Sequence, residues 1–253
     1  MLTFLKQWRE QRIIRRAPYT EPEWQQAFTR LPLLNRLNND EKSRLRRLAI
    51  LFLHNKSLEG AGDLVVSAEL RLVIALQACL PILNLGLDWY DGWVSVVIHP
   101  AGFTPVHTEM DEYGVVHEVR EPLSGESWER GPVVLSADDS LGGGIIDGHN
   151  LVIHEFAHKL DMQNGVANGM PPLHKEMSAA QWSEAFSAAY VELQEQIEQG
   201  RPVAIDHYAA TAPAEFFAVL SEVFFEQPEV LQEHYPAVYR QLAKFYRQNP
   251  MNV

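Results

Sequence analysis

The chain has 253 residues, of which 46% are hydrophobic, and this composition excludes a disordered or collagen-like protein. Its formal net charge of −12 argues against direct nucleic-acid binding, because phosphate contacts need a basic surface. The single cysteine, Cys79, excludes an internal disulfide framework, and no apolar run reaches the ~18 residues of a membrane helix. With no signal-peptide core at the N-terminus, we expect a soluble, cytoplasmic protein that does not bind membranes.

The first segment of the chain is basic, unlike the remainder. Residues 1–17 carry a charge of +4, so residues 18–253 carry −16. The apolar positions Leu2, Leu5, Trp8 and Ile13 among these bases predict an amphipathic helix. We favour a terminal helix that packs on the body with a solvated basic face over a helix that touches a membrane or a partner.

Residues 1–80 have the pattern of a helical region. The segment EPEWQQAFTRL spaces its apolar residues as a helix does, and the next segment, NDEKSRLRRLAILFL, begins with Asn39 or Asp40 as the expected N-cap. A third helix is expected from Ser67 to Leu80, where Pro81 ends it.

Strands follow in the middle of the chain, and helices return after them. Gly92–Pro100 is rich in β-branched residues, Gly131–Asp138 is a second strand candidate, and Val115–Glu121 is a weaker one. After the turn Gly142-Gly143-Gly144 we expect a helix capped by Asp147 and ended by Gly165. Three more helices are predicted: one with an apolar face from Trp182 to Ile197, one starting at Pro213, and one over residues 228–248. This order predicts an α+β fold.

The segment His154-Glu155-Phe156-Ala157-His158 matches the zinc-peptidase motif HExxH. On a helix, His154 and His158 lie one turn apart on one face, so both imidazoles can bind one ion. Glu155 would lie beside the metal, as general base for a water whose pKa zinc lowers to ≈ 7. The alternative is a pair of buried histidines whose hydrogen bonds are satisfied within the core. The apolar residues around the motif favour the metal site, because unpaired imidazoles are costly in a core.

The third protein ligand is not fixed by the residues alone. Asn164 stands where a metzincin has its third histidine, so that class is excluded. Asp161 is too near along the same helix to bind the ion, and we interpret it as a partner that orients a ligand imidazole. We discount His174, Glu192, Glu195 and Glu198, which fall in a loop or on a polar helix face. Glu215 and Glu222 remain, seven residues apart on an apolar helix, and sequence physics barely separates them.

Several segments together carry a resemblance to a known family. They are FLHNKSLEGAGDLVVSAELRLVIALQACL, YDGWVSVVIHPAGF, EYGVVHE, SGESWERGPVVLS, HEFAHKLD and AEFFAVLSEVFFE. In these segments the chain resembles the Mlc titration factor A family of metallopeptidases over nearly its whole length. Its C-terminal half is also similar to the catalytic domain of anthrax lethal factor, in which a tyrosine precedes the ligand glutamate by seven residues, as Tyr208 precedes Glu215 here.

The resemblance implies a fold and a set of roles. It implies a zincin-like (gluzincin) core with a small mixed sheet and an N-terminal helical lobe, which we divide as residues 1–85 and 86–253, packed as one unit. It implies Glu215 as the third ligand, Tyr208 as donor to the tetrahedral oxyanion, and His117 as a further ligand that closes the site at rest. Glu222 would then orient a ligand or be structural, and the strand PVVLS would be an edge that pairs with a peptide substrate.

The resemblance also implies an activity and a partner. We expect one Zn²⁺ per chain and aminopeptidase-like hydrolysis of peptides, together with binding of the Mlc repressor of the glucose phosphotransferase system. A different class of function is a regulatory protein that sequesters a transcription repressor without catalysis and keeps zinc as a structural element. Glu155 favours the enzyme, since a structural metal site needs no base. A metal-dependent hydrolase of substrates other than peptides also fits the motif.

Overall fold

The computed structural model describes residues 2–101, 106–110, 116–120, 125–127 and 131–251. Side chains are described for residues 5–101 and 131–251. The described chain is an α+β fold in which helices surround a small sheet, as the order of the sequence patterns predicts. Its helices are α1 (Leu2–Arg15), α2 (Glu21–Arg30), α3 (Asn39–Asn55), α4 (Ala68–Cys79), α5 (Ala137–Gly142), α6 (Leu151–Asp161), α7 (Ala179–Glu198), α8 (Pro213–Glu226), α9 (Pro228–His234) and α10 (Pro236–Tyr246).

The N-terminal helices lie where the sequence predicts them, with one corrected cap. Helix α3 is capped by Asn38, whose side chain accepts a hydrogen bond from the backbone N–H of Glu41, so the expected caps Asn39 and Asp40 are wrong by one or two positions. Asn38 fits because its backbone is extended and its N–H donates to the Glu41 carboxylate at 2.9 Å, which completes a capping box. Ser67 caps α4 by accepting a hydrogen bond from the backbone N–H of Leu70 at 3.1 Å. Cys79, at the end of α4, is fully buried.

Helix α1 packs on the body of the protein, as expected. Ile13 and Ile14 are half-buried and pack against the core, while Lys6 pairs with Asp88 at 2.9 Å. Leu5 and Trp8 face outward, and the latter is 57% exposed. Within the described residues, no helix combines the length and the apolar character needed to cross a membrane.

A four-stranded sheet joins the early and middle parts of the chain. Its order is β1 (Ser57–Gly60), β2 (Ser95–His99), β6 (Val133–Ser136) and β5 (Gly125–Ser127), in which β1, β2 and β6 run parallel and β5 is antiparallel to β6. Strands β3 (Val106–Met110) and β4 (Val116–Arg120) form a separate antiparallel pair. The three predicted strands correspond to β2, β4 and β6.

Two expectations from the sequence, about residues 57–60 and about the strand PVVLS, are wrong. Strand β1 lies inside the segment predicted to be helical. Its four residues are too few to show the alternation of apolar and polar side chains that indicates a strand. They form a strand because all four pair with β2. The strand PVVLS is β6, which lies between β2 and β5, so it is not a free edge. On this side of the described sheet the outer strand is β5. A strand's neighbours are set by packing, and the sequence of the strand itself does not record them.

Helix α6 begins later than predicted. Its cap is Asn150 and not Asp147, because the Asn150 side chain accepts from the backbone N–H of Ile153 at 3.0 Å. Asp147 instead accepts from the N–H of His149, two residues on, within the preceding turn. A short 3-10 turn follows α6 and ends at Gly165, whose φ of 135° suits glycine.

The C-terminal helices include one further correction. Helices α7 and α8 match their predictions, and α8 begins at Pro213 as expected. The single helix predicted over residues 228–248 is instead two, α9 and α10, divided between His234 and Pro236. Pro236 has no N–H to donate and clashes with a preceding helical turn, so it starts a new helix.

One continuous hydrophobic core holds these elements together and fixes the two helices of the candidate site. Phe156 of α6 contacts the rings of Phe52, Tyr90 and Trp93, with centroids 5.1–5.7 Å apart. Helix α8 is almost entirely buried from Phe216 to Glu226. Two buried helices in firm contact place any polar side chains between them with little freedom.

Candidate metal centre

Helix α6 presents the histidine pair to helix α8. His154 and His158 lie one turn apart, with ring centroids separated by 4.8 Å. Their side chains are only 12% and 9% exposed. Burial on an apolar helix means that these imidazoles depend on partners supplied by the neighbouring helix.

Glu215 supplies that partner at the start of α8. Its Oε2 lies 3.0 Å from His154 Nε2 and 3.3 Å from His158 Nε2, and the two Nε2 atoms are 3.2 Å apart. The three atoms form a nearly equilateral triangle. Ligands that bind zinc tetrahedrally at ~2.0–2.1 Å are separated by about 3.3 Å. The triangle therefore fits one face of a tetrahedral metal site, with the fourth position opposite it.

Glu222 decides which nitrogen of His154 faces the triangle. Its Oε1 accepts from His154 Nδ1 at 2.7 Å, while its Oε2 accepts the backbone N–H of Asn150. With the proton on Nδ1, the Nε2 lone pair of His154 points at Glu215 and His158. Glu222 thus orients the imidazole, as carboxylates behind metal-bound histidines do.

The electrostatics of the triangle favour a cation. Burial opposes a charge on His154, but the carboxylates of Glu222 and Glu215 outweigh it and hold the pKa of His154 well above its ordinary value. Burial also opposes ionisation of Glu215, yet the hydrogen bonds with His154 and His158 hold its pKa well below the usual range. Three converging electron-pair donors of this kind need a proton or a metal ion between them.

Glu155 is buried next to the two histidines. It is 3% exposed, and its Oε2 has no hydrogen-bond partner among the described residues. Burial raises the pKa of Glu155 to about 7, although the two histidines act in the opposite direction. A carboxylate with a pKa near neutrality can both take and return a proton at physiological pH.

Asp161 holds the loop after α6, and its expected role as partner of a ligand imidazole stays a prediction, since its Oδ1 and the Nδ1 of His158 are both buried without a hydrogen-bond partner in the described structure. No hydrogen bond joins it to His154 or His158 in the described structure; its Oδ2 instead accepts the backbone N–H groups of Asn168 and Gly169 at 2.8 and 2.7 Å. It fixes the loop that follows α6. A Cβ on Gly169 would lie 2.4 Å from the carbonyl oxygen of Pro213, so this loop packs directly on the first turn of α8. Asp161 therefore supports the position of α8 from behind.

Tyr208 lies beside His154 on a short 3-10 turn, His207–Ala210. Its ring centroid is 6.1 Å from that of His154, and the residue is 44% exposed, so it borders both the metal cluster and solvent. Two side chains of α7, Tyr190 and Gln194, hold the turn by donating to the carbonyl of Ala210 at 2.9 and 3.2 Å. Sequence reasoning did not identify these two residues, since nothing local marks a partner for a distant carbonyl.

The remaining candidate metal ligands from the sequence do not join the cluster in the described structure. The backbone of His117 lies in β4, opposite Glu109, but its side chain falls outside the described part of the structure. His174 is held by its Nε2 at 2.8 Å from the carbonyl oxygen of Phe245 and stacks on that ring, which is a structural role. The discounted glutamates of α7 are not part of the cluster: Glu192, Glu195 and Glu198.

The sequence also missed Asn150, although a signal was present. An asparagine directly before an apolar helical segment is a standard N-cap pattern, whereas the cap predicted from the sequence is Asp147. Its buried side chain and its contact with Glu222 became visible only in the packed structure.

Comparison with known proteins gives one family and several close relatives. A family model described as glucose-regulated metallo-peptidase M90 matches residues 5–247. A protein of Serratia proteamaculans called Mlc titration factor A is 41% identical over 235 residues, which cover 92% of this chain and 89% of that protein. Proteins of the same name from Escherichia fergusonii and Yersinia pestis are each 40% identical over 232 residues. The matches cover 91% and 90% of this chain and 87% and 85% of those proteins.

Proposed function

Because this chain belongs to the glucose-regulated metallopeptidase family M90, we propose that it is a zinc-dependent peptidase with a gluzincin site in a zincin-like fold. The family resemblance seen in the sequence segments is confirmed by this membership. The observation that carries the proposal is the triangle of His154, His158 and Glu215 next to the buried carboxylate of Glu155. Each part has a use in metal-assisted hydrolysis, and a structural metal site would not need Glu155.

The residues divide the work as follows. His154, His158 and Glu215 hold the ion, which when bound acts as a Lewis acid toward water and the substrate carbonyl. Glu155 takes the proton of the attacking water and returns it to the leaving amine, which its pKa of about 7 permits. The hydroxyl of Tyr208 donates to the oxyanion that develops on the carbonyl oxygen. Glu222 keeps His154 in the tautomer that presents Nε2.

A peptide substrate has a place to bind along the sheet. The outer strand β5 runs antiparallel to β6, and both contact α6. An extended peptide that pairs with the edge of β5 that is unpaired in the described sheet would pass alongside the helix that carries Glu155, by β-augmentation. Aminopeptidase-like cleavage follows from the family resemblance, and peptides with free and blocked amino termini distinguish it from internal cleavage.

Metal analysis tests the proposal directly. The purified protein should contain one zinc per chain by elemental analysis, and a chelator should remove both the metal and the hydrolysis of peptide substrates. Re-addition of zinc should restore both. Zinc X-ray absorption would count the imidazole ligands: two without His117, three if His117 closes the site at rest. A protein without metal that still hydrolyses peptides would contradict the assignment.

Tyr208→Phe should lower kcat for peptide hydrolysis about 10- to 100-fold, with zinc content unchanged. The residue is partly exposed and removal of one hydroxyl leaves its ring contact with His154, so the fold should tolerate the change. Tyr239→Phe on α10 is a matched control, because it removes a tyrosine hydroxyl that bonds Asn249 and not the turn that carries Tyr208. Unchanged kcat in Tyr208→Phe would exclude an oxyanion role.

The relatives' name supports a second role, binding of an Mlc-type transcription repressor, which would place the protein in the cytoplasm. If this role is separable from catalysis, purified repressor should bind the metal-free and zinc-loaded proteins with equal affinity, measured by fluorescence anisotropy. Binding that needs zinc, in a protein that hydrolyses no peptide, would favour the alternative of a regulatory binding protein with a structural metal. Absence of binding to both forms would exclude the role.

A further inference from the structure

Asn150 is a buried polar residue whose hydrogen-bonding groups all have partners. It is 1% exposed. Its Oδ1 accepts from Ile153 N–H at 3.0 Å, and its backbone N–H donates to Glu222. Its Nδ2 donates to Gln77 Oε1 at 2.9 Å and to Glu226 Oε1 at 3.0 Å. One side chain therefore joins the start of α6 to α4 and to α8.

Its two partners are themselves fixed in the core. Gln77 is fully buried, and its Nε2 donates to the carbonyls of Val73 and Ser140 at 3.1 and 3.0 Å. Glu226 is 3% exposed, and its Oε2 accepts from Gly148 N–H at 3.0 Å. Buried polar groups with complete bonding hold a single arrangement, because any shift leaves a donor or acceptor unpaired. We call Gln77, Asn150 and Glu226 the amide–carboxylate cluster.

The glycine turn before α6 allows this cluster to form. A Cβ on Gly143 would lie 2.0 Å from Gln77 Oε1 and 2.8 Å from Asn150 Nδ2. No side chain fits there, so the backbone at Gly143 packs directly on the two amides. The reason for glycine at this position is space and not conformation, since its φ is −58°.

Glu226 of the cluster and the metal-ligand candidate Glu215 lie on the same face of α8. Glu215, Glu222 and Glu226 are spaced by seven and four residues, which places them within about 40° around the helix axis. Glu226 bonds Asn150, Glu222 bonds both Asn150 and His154, and Glu215 faces both imidazoles. The cluster therefore fixes α8 against α6 at one end of the helix pair. The metal ligands lie at the other end, where their separation depends on that position.

From this arrangement, and resting on the proposed function, we infer that the amide–carboxylate cluster is a positioning device for the metal centre. Gln77 and Asn150 set the position of α6 against α8, and so the separation of His154 and His158 from Glu215. Ligand positions matter to within about 0.5 Å for metal binding. Because Gln77 belongs to α4, the N-terminal helical region contributes to metal affinity through its bond with Asn150 and not as a ligand.

The test measures metal binding in the folded protein. Gln77→Leu keeps the volume but removes the bonds to Asn150 and Ser140, and we expect zinc affinity to fall about 10- to 100-fold, measured by competition with a chromophoric chelator. The visible spectrum of the cobalt-substituted protein should shift, since it reports coordination geometry. Gln241→Leu, a buried glutamine of α10, is the matched control.

The outcomes separate this inference from the proposed function. Zinc binding by the wild-type protein tests the proposed function, whereas the difference between variants tests the inference. Unchanged zinc affinity and an unchanged cobalt spectrum in Gln77→Leu, even with lowered stability to denaturant, would show that the cluster only supports the fold. An equal loss of affinity in Gln241→Leu would show the same. If Gln77→Leu does not fold, Glu226→Gln provides a second test: its amide puts a donor where Glu226 Oε2 accepts the Gly148 N–H, so the loss of that bond should shift affinity and spectrum in the same direction.

Discussion

Glu155→Gln should lower kcat/KM for peptide hydrolysis by about 10²- to 10⁴-fold while zinc remains bound at one per chain. Glutamine has the shape of glutamate but cannot take a proton, so the change removes the base and little else. Glu155 is buried and next to both histidines, and burial raises its pKa to about 7, close to the value that a base working at neutral pH needs. Since it is not one of the three converging groups, the metal should stay.

The measurement pairs steady-state kinetics with elemental analysis on the same preparation. Glu184→Gln, on the exposed face of α7, is a suitable control because it removes one carboxylate far from the cluster. If Glu155→Gln retains zinc and full activity, the assigned mechanism is wrong. If the wild-type protein binds zinc and hydrolyses no peptide, a regulatory binding protein with a structural zinc becomes the better interpretation.

Glu215→Ala should lower zinc affinity by more than about 100-fold, which is the upper range for residues that only orient a ligand. The substitution leaves two imidazole nitrogens 3.2 Å apart without the carboxylate that faces both. Zinc should also stop protecting the fold. A ligand present at 100 times its Kd stabilises the native state by about 2.7 kcal/mol, and the variant should lose this gain, seen as a Tm that no longer responds to zinc.

Glu222→Gln is the informative comparison for that experiment. Glu222 bonds His154 Nδ1 and not Nε2, so its loss should weaken zinc binding by about 10- to 100-fold without abolishing it. The order of effects, with Glu215 first, distinguishes a ligand from a residue that orients a ligand. The reverse order, or full zinc content in Glu215→Ala, would show that the third ligand is assigned to the wrong glutamate.

The sequence alone predicted those parts of the site that depend on residues close together along the chain. The pairing of His154 with His158 follows from the geometry of a helix, in which residues four apart share a face. The helices themselves follow from apolar periodicity, and the start of α8 from Pro213. The wrong N-cap predicted for α6 has a local cause as well. Asp147 and Asn150 are both residue types that cap helices and stand three residues apart, so the sequence pattern alone does not separate them.

Only the tertiary structure decided what depends on contacts between distant segments. Glu215 and Glu222 have similar surroundings in the sequence, where only the family resemblance favours Glu215 as the ligand; in the structure the packing of α8 against α6 places Glu215 between two imidazoles and Glu222 behind one. Packing likewise made a strand of residues 57–60 and placed β6 inside the sheet. The physical reason is that contacts between elements form cooperatively when the whole core packs. No single segment of the sequence therefore specifies its partners.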